Sequence, residues 1–160
     1  MFLNKRYAQA STAFLRAGRN REVTICEAYL LRERARLTST IAGAARARAF
    51  VTAANAFVAC ARNSPPKRVN ERLSYYGTAG GCYLEARDLK RAGDSYRMAE
   101  QYDTAARTYR EGGHFGEMAE VVTQHGNSFR DGSLLERLTK LSQIYYFKVC
   151  FSGRSISKYP

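Results

Sequence analysis

Five arginines fall between positions 32 and 48: Arg32, Arg34 and Arg36 close one helical stretch, and Arg46 and Arg48 open the next. If the two stretches fold back antiparallel, five guanidinium groups gather at one end of a hairpin. A guanidinium is a rigid fork of N–H donors that matches phosphate or carboxylate oxygens, so the chemistry on offer is anion binding. The same residues have a competing structural use. Arg32 to Arg36 would neutralise a helix C-terminus while Arg46 and Arg48 pair with Glu33 or with water.

Other reactive groups are sparse. The two histidines, His114 and His125, stand at opposite ends of one predicted helix. Eleven residues put them roughly 16 Å apart along its axis, too far to share a metal. Neither accompanies a nucleophile-elbow sequence, and Glu117 and Glu120 read as a solvated face rather than an acid–base pair. The segment Gly77-Thr78-Ala79-Gly80-Gly81 lacks the lysine of a phosphate-binding loop and lies on an apolar helical face. Cys26, Cys60, Cys82 and Cys150 form no C-x-x-C pair, and free buried thiols are expected. The chain is therefore expected to be no enzyme and to carry neither metal nor cofactor.

The elements that would position the arginines are written in a repeated pattern. An aromatic residue is followed by small residues three and four positions on and a second aromatic at seven. The four copies are Tyr7-Ala10-Ser11-Phe14, Phe50-Ala53-Ala54-Phe57, Tyr76-Ala79-Gly80-Tyr83 and Tyr102-Ala105-Ala106-Tyr109. These offsets fall on one helical face, where small residues admit a neighbouring helix between flanking rings. Predicted helices cover 3–17, ending at Gly18, and 21–36. A third follows, capped by Thr38 or Ser39 and running to about Ala61. Ser64 as N-cap and Pro65 at the first helical position start a fourth, which continues to about residue 86. Shorter helices follow at 88–99, 102–111 and 115–125, with a last one at 132–146. The domain reading is an α-helical repeat domain over 1–146 and an irregular basic tail over 147–160. That tail reads as a disordered end, an extended segment over the last helix, or a product cut short.

Composition agrees with an all-α protein: 160 residues, 45% hydrophobic and only three prolines. The net charge of +12 is uneven. Residues 1–70 hold 13 Lys/Arg against 3 Asp/Glu, residues 71–136 hold 8 against 11, and residues 137–160 hold 5 against none. A basic first half can attract nucleic acid or an acidic protein segment. No apolar run approaches the roughly 18 residues of a membrane span. With no secretory signal apparent either, the expected setting is intracellular, cytoplasmic or nuclear, with no membrane partner.

Tyr76, Gly80, Tyr83, Ala92, Tyr96 and Ala99 occupy relative positions 4, 8, 11, 20, 24 and 27. Tyr102, Ala106, Tyr109, Met118 and Val122 repeat the first five of them, 26 residues on. Over residues 73–125 the chain thus resembles tetratricopeptide helix pairs. More narrowly, residues 76–122 are similar to the helical-repeat region of the family called tetratricopeptide and ankyrin repeat-containing protein 1, which joins such repeats to a UvrD-like helicase core. The resemblance implies a right-handed α-α superhelix of about seven or eight antiparallel helices. It implies a protein-interaction module that takes a peptide or helix on its concave face. A nucleic-acid-binding accessory domain using the basic half is the alternative, as is a fragment of a larger helicase-linked repeat protein. Self-association through apolar ends is a further expectation.

Overall fold

The computed structural model describes residues 2–38 and 43–154, with side chains over 6–38 and 43–151. Every regular element among them is helical. The chain forms two compact units, Met1–Glu100 and Gln101–Pro160.

In the first unit each helix packs on the one before it: α1 (Phe2–Arg16), α2 (Asn20–Leu37), α3 (Gly43–Arg62), α4 (Val69–Glu85) and α5 (Leu89–Met98). Gly18 ends α1 as the sequence predicts. Its φ of +68° lets the Arg19 N–H reach back to the Phe14 carbonyl at 2.9 Å. Thr38 caps no following helix. It closes α2, and its N–H and hydroxyl both donate to the Arg34 carbonyl. Ser39, the other predicted cap, lies outside the described residues.

Ser64 does not start α4. Its hydroxyl donates to the Cys60 carbonyl at 2.8 Å, and the Arg68 N–H closes a turn onto the Pro65 carbonyl. Pro65 precedes a second proline, whose ring disfavours helical backbone at the residue before it, so α4 is delayed to Val69.

The second unit packs α6 (Tyr102–Glu111) on α7 (Phe115–His125) and α7 on α8 (Gly132–Arg154), with a 3₁₀ turn at Gly126–Ser128. Asp131 caps α8 by accepting the Leu134 N–H. Tyr102 and His125 stack with ring centroids 3.9 Å apart. The last helix does not stop at residue 146. It continues through Arg154, so the predicted irregular tail is helical for its first eight residues, and 155–160 lie outside the described residues. No glycine or proline interrupts the backbone between Gly132 and Gly153, whereas the apolar period fades where no neighbour among the described residues buries a face. Ile144, Tyr146, Phe147, Val149 and Phe151 are all exposed there.

The short helices share a register of thirteen residues, ten or eleven of helix and a three-residue turn. Ala79, Ala92, Ala105 and Met118 recur at that spacing and are fully buried, and Tyr83, Tyr96, Tyr109 and Val122 follow each by four. The turn after α4, α5 and α6 places its middle residue, Arg87, Glu100 or Gly113, at positive φ. Two helices therefore repeat in 26 residues. A tetratricopeptide repeat uses about 34 for its pair, so each helix here is about one turn shorter.

The small residues of the pattern act as the sequence suggests. A Cβ built on Gly80 would meet Cδ1 and Cε1 of Tyr96 at 2.9 Å and Cγ at 3.1 Å, so α5 rests its ring on the backbone of α4. Gly80→Ala is expected to destabilise the protein by about 1–2 kcal/mol, the overpacking cost less the gain in helix propensity. Urea unfolding followed by circular dichroism checks it. A variant as stable as the parent would mean that the Tyr96 ring slides away without loss.

Candidate functional site

The five arginines do not form an open anion cradle. Arg36 pairs with Glu33 at 3.1 Å, and Arg32 lies 3.5 Å from the same carboxylate. Arg32 also covers the rings of Tyr29 and Phe57, 4.9 and 5.8 Å from their centroids, with its buried Nε in no hydrogen bond among the described residues. Arg46 reaches across to Glu85 of α4 at 3.4 Å and to the Thr38 carbonyl at the end of α2, and it lies over the Phe50 ring. Arg32 and Arg46 are thus engaged in joining α2, α3 and α4, while Arg36 pairs within α2. Only Arg34 and Arg48 stand exposed with no ion-pair partner among the described residues. The expected pairing of Arg46 with Glu33 is replaced by Glu85, which the fold of α4 brings in.

A second charged cluster is built into the same unit. Glu71 of α4 accepts from Arg21 of α2 at 2.6 Å, from the Tyr75 hydroxyl at 2.7 Å and from Arg68 at 3.3 Å. The Arg21 hydrogen bond, followed by that of Tyr75, holds the Glu71 carboxyl down at about 2. Burial, then the neighbouring carboxylate, holds the Tyr75 phenol well above its ordinary range. A carboxylate so firmly ionised makes a poor proton donor, and this cluster is a clasp between α2 and α4. Beside it the rings of Tyr7, Tyr29, Phe57 and Tyr75 contact one another in sequence across the four helices.

The thiols follow the same logic. Cys26, Cys60 and Cys82 are buried and free, and burial pushes each upward, Cys82 to about 11. They remain protonated at neutral pH and are weak nucleophiles. Cys150, against the expectation of burial, is exposed on α8.

An open concavity of about 290 Å³ lies over α4, between α3 and α5. Val58 and Arg62 of α3 form one wall and Asp94, Ser95 and Met98 of α5 the other, above the buried Tyr83. Its floor is fixed from below. The Tyr83 hydroxyl donates to Asn55 Oδ1 at 2.6 Å, and Arg91 lies 4.8 Å over the Tyr83 ring. Arg91 is itself held by Asp88, whose other oxygen caps α5 through the Arg91 N–H. Burial pushes the Tyr83 phenol upward, keeping it neutral as a donor. Met98 is 53% exposed at the rim. None of these residues carries a motif. The signal in the sequence was indirect: Tyr76 and Tyr83 mark the stacking face, and the groove beside it follows only once α3 and α5 flank α4.

Among the described residues no group of three or more His, Cys, Asp or Glu is placed to hold a metal ion, and no helix is long and apolar enough to cross a membrane. No protein-family model, curated protein or solved structure matches the chain.

Proposed function

We propose that this chain is a non-enzymatic interaction module of tetratricopeptide-like helices that takes a peptide segment in the cleft between α3 and α5. The observation that carries the reading is the cleft itself. It joins an exposed Met98 to a buried, anchored phenol and to polar side chains on opposite walls, the mixture by which peptide sites combine apolar contact with orientation. Stacked short helices with small-residue contacts supply a rigid frame for such a surface. The thirteen-residue register and the buried Ala–Tyr positions support the tetratricopeptide-like comparison, with shortened helices.

The test is selection of binding peptides from a displayed library on the immobilised protein, followed by affinity measurement on Val58→Asp/Met98→Asp. The selected peptides are expected to lose at least about tenfold in affinity, because a carboxylate replaces apolar contact on each wall, while the helical circular dichroism is unchanged. Equal affinity for parent and variant would place binding elsewhere and end this reading. The nucleic-acid alternative retains Arg34 and Arg48 as its exposed cations, the other three arginines being occupied by Glu33, Glu85 and aromatic faces.

A further inference from the structure

The charged side chains that line the cleft favour one sign of ligand. Three charged side chains line it: Arg62, Arg91 and Asp94. Arg91 is committed to Asp88, with Nε 2.6 Å from Oδ2, and Asp94 lies 3.7 Å from Lys90. Arg62 has neither an ion-pair nor a hydrogen-bond partner among the described residues. Across from it, on the α5 wall, stands the largely buried Ser95. An exposed guanidinium and a serine hydroxyl thus stand on opposite walls of one cleft, where a single ligand acceptor could meet both.

From these groups we infer that the segment bound between α3 and α5 is acidic: an aspartate or glutamate carboxylate that accepts from Arg62 and Ser95, next to an apolar side chain resting on Val58 and Met98. The inference rests on the peptide-cleft reading above and names the chemistry of its ligand. Carboxylate is the acceptor a guanidinium fork meets with two parallel hydrogen bonds. The surroundings favour the same sign, because residues 1–100 hold 18 Lys/Arg against 8 Asp/Glu, a field that draws acidic segments in and turns basic ones away. Asp94 on the α5 wall adds orientation. It repels a second carboxylate at that edge and leaves the acidic group nearest Arg62 as the favoured register.

The experiment uses the whole chain with labelled methionine methyls and two probes: an alternating leucine–glutamate pentapeptide blocked at both ends, and its leucine–glutamine counterpart. The glutamate peptide is expected to shift the Met98 methyl and to bind about tenfold more tightly than the glutamine peptide, the difference a charge-assisted hydrogen bond provides. Arg62→Gln is expected to abolish that preference. Arg48→Gln, at another exposed cation of α3 that does not line the cleft, should retain it. Equal affinity for the two peptides, with the Met98 methyl still shifting, would overturn the acidic assignment and leave the cleft in place. Loss of preference in both arginine variants alike would overturn it as well, by tracing the effect to diffuse charge. A Met98 methyl that neither peptide moves would remove the cleft as a peptide site and the inference with it.

Discussion

Acidification from about pH 6 to about pH 3 is expected to remove about 2 kcal/mol of folding stability through Glu71 alone, a loss that Glu71→Gln does not show. Its ordinary value of 4.5 falls to about 2 in the folded chain, where Arg21, Tyr75 and Arg68 all donate to the carboxylate. The folded value is the lower one, so the unfolded chain takes up the proton first. The stabilisation is complete above the unfolded value and is lost as pH drops from there toward 2. The pair is half-buried, with Arg21 and Glu71 side chains 26% and 28% exposed, which retains more of the interaction than a solvated surface pair would. Urea unfolding at the two pH values, for parent and variant, measures it. Parallel losses in both proteins would show that the clasp contributes nothing beyond the other carboxylates. At neutral pH the variant should already be weaker by a similar amount, because Arg21 and the Tyr75 hydroxyl lose a charged acceptor that a neutral amide only partly replaces.

A larger effect is expected at Phe57. Its side chain has no exposed surface, and its ring stands edge-on to Tyr29 at 5.0 Å, tilted to Tyr75 at 6.4 Å and beneath Arg32. Phe57→Ala should cost about 3–5 kcal/mol, combining lost transfer energy with a cavity that three helices cannot all close. Against the 5–15 kcal/mol typical of a domain, that leaves a protein close to unfolding at body temperature. Phe57→Leu separates the contributions. It refills much of the volume and loses the aromatic contacts, each pair of which is worth about 0.5–1.5 kcal/mol. If leucine were as damaging as alanine, shape at the ring would dominate over buried volume. If alanine cost under about 1 kcal/mol, the ring sequence from Tyr7 to Tyr75 would not be the core of this unit.

Local patterns made most helices legible. Gly18 and Gly113 close α1 and α6 because glycine accepts positive φ without cost, and both ends were readable for that reason. Arg87 and Glu100 perform the same turn without glycine. Their left-handed backbone recurs with the thirteen-residue register, and no side-chain preference announces it. Ser64-Pro65-Pro66 shows the opposite error, a capping signature whose serine serves the helix before it. The end of α8 escaped a periodicity argument altogether. Helical backbone needs only permissive residues, whereas an apolar stripe needs a neighbour, and the exposed run from Ile144 to Phe151 has the first without the second.

What the sequence determined by itself was the class of element and the faces that stack. Aromatic and small residues at offsets of three, four and seven are properties of one helix, fixed by its pitch. Gly80 beneath Tyr96 shows such a face meeting its neighbour. What only the tertiary structure decided was which charges find one another. Glu71 lies 50 positions from Arg21 and Glu85 lies 39 from Arg46, and such pairs are set by how helices are laid side by side. Those pairings turned much of a predicted arginine site into a structural junction and left Arg62, unremarked in the chain, facing a cleft. Electrostatic partners depend on through-space distance, which one-dimensional spacing encodes only within a few helical turns.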